Sequence, residues 1–295
     1  MKNTIFTGAG VAIVTPMNED GSVNYDAYAD LIEFQIENKV DAIISCGTTG
    51  ESSTLSDEEH LAVIKCAIEQ AAGRVPVIAG TGSNDTKYAI QLSSEAARLG
   101  ADGLLLVTPY YNKTSQRGLV AHFGAIADAV DAPIILYSVQ SRTGVNIAPE
   151  TAYALSKYEN IVAIKEASGN ISQVAKIKAM CGDDLDIYSG NDDQIVPLLS
   201  LGGKGVISVL ANVAPEVTHN ICQLYFDGKV KESAALQLEY LDLCNDLFID
   251  VNPIPVKEAL NMMGMNAGPC RMPLYEMTEA AKEKLAATMT RHGLI

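Results

Sequence analysis

Residues 161–169, Ile161-Val162-Ala163-Ile164-Lys165-Glu166-Ala167-Ser168-Gly169, open on four apolar residues and then place an ammonium group where the run should continue. A short, continuous apolar stretch of this kind is read as a buried strand, and a strongly hydrated lysine is a costly occupant of one. Seven more runs share the form: GVAIVTP from Gly10, DAIISCG from Asp41, VPVIAG from Val75, DGLLLVTP from Asp102, APIILYS from Ala132, LDIYSG from Leu185 and GVISVLAN from Gly205. Between them lie segments with apolar residues three and four apart, such as Tyr28, Leu31, Ile32, Gln35 and Ile36, or Ile171, Val174, Ile177 and Lys178, the spacing of a helix. The runs are apolar at consecutive positions rather than alternate ones, as parallel strands covered on both faces require. Strand then helix, eight times in about 225 residues, predicts an α/β fold in the form of a closed (β/α)8 barrel of the TIM type, with a doubly wound open sheet as the alternative.

After Val213 no strand-like run follows, and residues 214–225, 230–248, 255–263 and 278–291 all read as helices, punctuated by Pro253, Pro255 and Gly268-Pro269. The chain is therefore divided into a catalytic barrel, residues 1–226, and a C-terminal helical domain, residues 227–295.

Composition narrows the function. With 295 residues, 48% hydrophobic and 19% charged, the chain can bury a large core. Its net charge of -15 offers no basic stripe to a phosphate backbone or an anionic membrane, so no nucleic acid and no membrane partner is expected. The N-terminus lacks the apolar run of a secretory signal, no stretch reaches the roughly 20 residues of a membrane span, and the expected location is cytoplasmic. Cys46, Cys66, Cys181, Cys222, Cys244 and Cys270 are scattered without a C-x-x-C pair and read as small buried hydrophobes in a reducing compartment. His60, His122, His219 and His292 show no ligand spacing, and no metal site is expected.

In a barrel of this kind the chemistry sits at the C-terminal ends of the strands. Those ends carry GTTGES at 47–52, TPYYN at 108–112, YSVQSRTG at 137–144, KEASGN at 165–170, SGNDD at 189–193 and SVLAN at 208–212. Because side chains alternate, Ala163, Lys165 and Ala167 share one face; if it is the interior, the amine stands inside the mouth between two residues small enough to leave it room. Desolvation there would favour the neutral amine, which forms imines with carbonyls. The plain alternative is a strand-end lysine reaching for solvent or for a carboxylate. GTTGES has glycines for a tight turn whose hydroxyls and N–H groups could hold a small carboxylate, and it lacks the Gly-Lys-Ser/Thr ending of a phosphate loop. Asp192 and Asp193 stand where many barrels bind phosphate and would repel it, which favours a substrate without one. Tyr137 could relay a proton and Arg142 could grip a carboxylate through two bonds.

Taken together, GTTGES, TPYYN, the stretch from Tyr137 to Gly144, IKEASGN at 164–170 and NPIPVK at 252–257 resemble, in matching order over essentially the whole chain, the dihydrodipicolinate synthases of the pyruvate-dependent class I aldolase family, which also contains the N-acetylneuraminate lyases. The resemblance implies a lyase-type synthase of lysine and diaminopimelate biosynthesis. Lys165 would form the Schiff base with pyruvate, and Thr48, Tyr137 and Tyr111 a proton relay, Tyr111 reaching in from a neighbouring copy. Thr49 would bind the pyruvate carboxylate, Arg142 the carboxylate of L-aspartate 4-semialdehyde, and Gly190 and Ile207 would line the pocket. It implies no metal and no organic cofactor, and a homotetramer built from tight dimers. Where the family usually has Tyr-Asn-Val-Pro, this chain has Tyr137-Ser138-Val139-Gln140, without the ring that would fix φ just before Arg142. Lysine-inhibited relatives bind the effector at positions corresponding to Ser53, Asp57, His60, Asn84, Tyr88 and Tyr110. They carry a carboxylate at the place of Tyr88 and a histidine at that of Asp57, so weak or absent inhibition is expected here. The nearest rival is a sibling lyase acting on N-acetylneuraminate or a keto-deoxy sugar acid; Arg142 and the second threonine of GTTGES favour the synthase. A catalytically silent keto-acid-binding barrel is the rival of another class, and the Lys165, Tyr137, Thr48 and Tyr111 set speaks against it.

Overall fold

Each of the eight apolar runs carries a strand: β1 (Gly8–Ala12), β2 (Ala42–Ser45), β3 (Val77–Gly80), β4 (Gly103–Val107), β5 (Ile134–Ser138), β6 (Ile161–Glu166), β7 (Asp186–Ser189) and β8 (Gly205–Ser208). The structure, a computed structural model, describes residues 2–295. The strands pair in parallel and in chain order, and β8 returns to β1, so the sheet is a closed barrel and not a doubly wound one. Around it run α1 (Tyr25–Glu37), α2 (Asp57–Ala71), α3 (Thr86–Leu99), α4 (Gln116–Ala127), α5 (Gln140–Thr143), α6 (Pro149–Leu155), α7 (Ile171–Cys181), α8 (Ile195–Ser200) and α9 (Pro215–Phe226). The tail adds α10 (Val230–Glu239), α11 (Leu241–Asp246), α12 (Ile254–Met262) and α13 (Glu279–Arg291).

The consecutive apolar positions divide between two cores. Ala42, Ile44, Ile78, Leu105, Ile135, Tyr137, Ala163, Tyr188 and Ile207 form one inside the barrel. Their neighbours Ile43, Leu104, Leu106, Ile134, Leu136, Ile164 and Ile187 belong to the core shared with the helices. That alternation sends Tyr137, Lys165 and Tyr188, partners in register across β5, β6 and β7, into the interior. There Tyr188 stacks on Phe6 with ring centroids 4.3 Å apart and donates its hydroxyl to the Phe6 carbonyl at 2.6 Å.

Helix caps fix where the mouth loops end. Asn24, Ser56, Asp85, Ser115 and Asn170 each accept an N–H from the first turn of the helix that follows, and Ser56 with Glu59 forms a reciprocal capping box.

Two elements differ from the sequence reading. The first strand starts at Gly8 rather than Gly10, in a Gly-Ala-Gly stretch without β-branched residues. Small size is required there, because a Cβ on Gly8 would run into the Asp41 carboxylate and one on Gly10 into the Ile44 and Phe6 side chains. The helix expected over 230–248 breaks at Tyr240 (φ -94°, ψ 9°) into α10 and α11, where the Tyr240 ring stacks on His292 at 4.3 Å.

All six cysteines are free thiols, four of them buried, and burial pushes the Cys46 thiol up to about 12. Each histidine has a local partner: His60 the Gly80 carbonyl, His122 the Thr86 hydroxyl, His219 the Asp41 carboxylate and His292 the Asp242 carboxylate. Among the described residues no helix is long and apolar enough to cross a membrane. Burial holds the His60 and His122 imidazoles below their ordinary value of 6.5. The stability each carries as a neutral ring is complete above that unfolded-state value and is lost as pH falls through the lowered folded-state one. Thermal melts are expected to show a larger drop in midpoint between about pH 6.5 and about pH 5 for wild type than for His60→Gln, which keeps a donor for Gly80. Parallel curves would remove His60 from the acid response.

Candidate active site

Lys165 is the fifth residue of β6, and its side chain enters a cavity of about 220 Å³ at the C-terminal mouth of the barrel. Ala163 below and Ala167 above leave space on its face of the strand. The residue is 5% exposed, and its Nζ lies 4.4 Å from the centroid of the Tyr137 ring, within cation–π range. Among the described residues Lys165 forms no hydrogen bond and no ion pair, so the alternative of a lysine paired with a carboxylate or reaching for solvent does not describe it.

The cavity gathers Thr48, Thr49, Tyr137, Arg142 and Gly190 around Lys165. Thr48 and Thr49 lie in the turn after β2, which folds back through bonds from Gly50 N to the Gly47 carbonyl and from Glu51 N to the Thr48 carbonyl, each 3.1 Å. The Thr48 and Thr49 N–H groups find no acceptor within the described chain. Two free backbone donors beside a buried amine suit a small carboxylate. Gly190 is required by space: a Cβ there would stand 2.5 Å from the Ala167 Cβ, pushing the end of β7 away from the lysine strand.

Arg142 is exposed on α5, and its Nη2 lies 3.4 Å from the Asn252 carbonyl. The ring absent from residue 140 is replaced by hydrogen bonds. The buried Ser138 hydroxyl donates to Asn146 Oδ1 at 3.1 Å and accepts Ile147 N at 3.1 Å, and Thr143 bonds Thr108 hydroxyl to hydroxyl at 2.8 Å. Asn146 continues to Gln173 (2.7 Å) and Gln173 to Glu166 (2.7 Å), the residue after the lysine. The loop carrying Arg142 is thus tied to the strand carrying Lys165.

Other expected residues sit elsewhere. Ile207 lies one layer deeper, in the interior core, and Val209, two residues on, lines the cavity. Tyr111 is 92% exposed with a left-handed φ of +68°, a conformation that costs a non-glycine residue about 1–3 kcal/mol. The Asn84 side chain donates to the Tyr110 carbonyl and the Asn112 side chain to the Asn84 carbonyl, bracing that loop. The expected pair of repelling carboxylates does not face the site. Asp192 is buried, its Oδ2 accepting the N–H groups of Val209 (3.0 Å) and Leu210 (2.9 Å), and burial pushes its carboxyl up. The end of β7 presents Gly190 and Asn191 instead. Of the positions tied to effector binding, Ser53 is exposed, and the His60 ring points inward to Gly80 at 2.8 Å. Tyr88 donates to Asp57 at 2.7 Å; partial burial and that carboxylate push its phenol up to about 12. Asn84 donates to the Tyr110 carbonyl at 3.1 Å.

Sequence reasoning missed Asn252. Its Nδ2 donates to Thr49 Oγ1 at 3.0 Å, its Oδ1 has no partner, and it lines the cavity from the tail. Its position at the head of NPIPVK was the available signal.

Comparison with known proteins agrees with this geometry. The model of the dihydrodipicolinate synthetase family matches residues 5–292. The 4-hydroxy-tetrahydrodipicolinate synthase of Acetivibrio thermocellus is 57% identical over 295 residues, covering 100% of both chains. That of Caldicellulosiruptor saccharolyticus is 58% identical over 290 residues, 98% of each. Among solved structures, the chloride-inhibited dihydrodipicolinate synthase of Acinetobacter baumannii complexed with pyruvate superposes with a TM-score of 0.97 at 44% identity, covering 99% of this chain and 100% of that one.

Proposed function

The chain belongs to the dihydrodipicolinate synthetase family, and on that premise we propose that its barrel mouth condenses pyruvate with L-aspartate 4-semialdehyde, the reaction of a 4-hydroxy-tetrahydrodipicolinate synthase. The observation that carries the reading is Lys165: a buried amine without an internal partner, beside two free N–H groups and within one cavity of an arginine.

Pyruvate enters with its carboxylate on the Thr48 and Thr49 N–H groups, which sets its keto carbon against Lys165 Nζ. Lys165 Nζ adds to that carbon through its lone pair and water leaves; the iminium then draws the C–H electron pair of the methyl group toward nitrogen, and the methyl proton passes to the relay, giving an enamine. The enamine carbon attacks the aldehyde of the second substrate, whose carboxylate Arg142 holds. The substrate's own amine then adds to the imine carbon, closes the ring and releases Lys165. Proton transfers at the Lys165 nitrogen and the new hydroxyl run through Tyr137 and Thr48, with Tyr111 supplied by a neighbouring copy. The lysine is the electron sink, so the scheme needs no metal or organic cofactor. The barrel over 1–226 and the helical domain over 227–295, a homotetramer of tight dimers and a cytoplasmic location complete the reading.

Borohydride reduction with pyruvate, read by intact mass, tests the imine; turnover assays with each aldehyde and with N-acetylneuraminate test the substrate. Turnover of sialic acid alone would reject the synthase. Arg142→Ala is expected to raise KM for the semialdehyde by roughly ten- to a hundredfold, the loss of a bidentate charged contact, while pyruvate trapping stays at the wild-type level. Equal damage to both would remove Arg142 from that role. Free L-lysine is expected to inhibit weakly or not at all, since a phenol stands at the place of the carboxylate that sensitive relatives carry, and the Asp57 carboxylate beside it is already engaged by that phenol. A titration giving half-inhibition below about 1 mM would overturn this.

A further inference from the structure

The chain buries a second lysine. Lys257 is 1% exposed, deeper than Lys165, yet it does not line the catalytic cavity. A fully buried ammonium with no chemistry to perform is explained only by what it holds. Its Nζ donates to Glu51 Oε1 at 2.8 Å, to the Thr15 carbonyl at 3.1 Å and to the Pro269 carbonyl at 2.6 Å, so all three protons are engaged. The other Glu51 oxygen accepts Arg271 N at 2.8 Å, and both members of the pair have almost no side-chain exposure.

These contacts converge on one turn. Glu51 is the fifth residue of GTTGES, three positions after Thr48, and it holds a left-handed φ of +54°, which a non-glycine residue keeps only when its surroundings impose it. Thr15, bonded through its carbonyl to Lys257, sends its hydroxyl to the Gly50 carbonyl at 2.7 Å. One ammonium therefore joins the loop after β1, the turn after β2 and the tail, 206 residues from Glu51 in sequence.

We propose that the Glu51–Lys257 pair is a positioning device for pyruvate: it fixes the backbone of residues 47–52 so that the Thr48 and Thr49 N–H groups face the substrate carboxylate. The inference rests on the pyruvate reading above. An apolar pair of the same volume could fill the space, but it could not direct three acceptors from three segments; direction is what an anion-binding turn needs. Neither Glu51 nor Lys257 touches substrate, so their loss should weaken pyruvate capture more than it slows the chemistry at saturation.

The test compares wild type, Glu51→Gln, which keeps the shape but unbalances the charge, and the double variant Glu51→Met with Lys257→Met, which removes both charges at similar volume. Each is melted thermally and then trapped with borohydride over a range of pyruvate concentrations in single turnover. The double variant is expected to stay folded, with the half-saturating pyruvate concentration raised about tenfold or more, the loss of aligned hydrogen bonds to a charged group. Its trapping rate at saturation is expected to change less than about threefold. A double variant that traps with the wild-type half-saturation overturns the proposal, as does one whose saturating rate falls while half-saturation is unchanged. If the double variant does not fold, Glu51→Gln carries the same expectation below its melting point; failure of both to fold assigns the pair to stability alone and overturns positioning. No adduct on wild type sinks the pyruvate reading itself, a result separate from any variant.

Discussion

Lys165→Ala is expected to give a folded protein that forms no reducible adduct with pyruvate and loses roughly 10⁴-fold or more of its condensation rate, as removal of a covalent nucleophile does elsewhere. Folding should survive because Lys165 supports nothing: among the described residues it has no hydrogen bond or ion pair, and its one polar contact is the face of Tyr137 at 4.4 Å. Truncation leaves no hydrogen-bond partner unpaired and removes only the packing of the side-chain stem. Intact mass after borohydride reduction separates the outcomes. An adduct retained in Lys165→Ala would move the nucleophile to another residue; a variant that is inactive but unfolded by circular dichroism would leave the chemistry to be read from Lys165→Met, which restores the apolar stem.

Tyr111→Phe is expected to reduce turnover by roughly a hundredfold or more, the size of a lost proton-transfer partner, although this phenol is 92% exposed in the single chain and absent from the cavity around Lys165. Coexpression with Lys165→Ala should then restore activity. A mixed pair has one site lacking both groups and one site intact, and random pairing predicts about a quarter of the wild-type rate. Restoration of that size requires Tyr111 to act in trans. Activity no greater than the sum of the two variants alone would place the phenol outside the relay or exclude the pairing.

The barrel was legible because a strand covered on both faces has to be apolar at consecutive positions, and eight such stretches in order have few other ways to fold. Lys165 was legible as the charge that interrupts one of them. The start of β1 was not, since Gly8 and Gly10 are small to leave room for the Asp41, Ile44 and Phe6 side chains and carry no strand propensity. The break at Tyr240 was hidden for another reason: the residues around it keep helical spacing, and the stacking on His292 that accompanies the break comes from 52 residues away. The reactive groups at strand ends could be collected from local patterns. NPIPVK marks Asn252 and Lys257 as a motif, but what they hold could not be read from it, because their partners Thr49 and Glu51 lie more than 200 residues away. Asp192 shows the limit of counting charges: the residue was read correctly as sitting at the mouth, but its carboxylate turns into the backbone of β8's end.

Ser138 gives the Arg142 loop a thermal character of its own. A pyrrolidine ring restricts its backbone covalently and to the same extent at any temperature. A hydroxyl bridging Asn146 and Ile147 does so through bonds that loosen on heating. Recognition of the second substrate by this chain should therefore weaken with temperature more steeply than capture of pyruvate, and the gap between the two would report on a single serine.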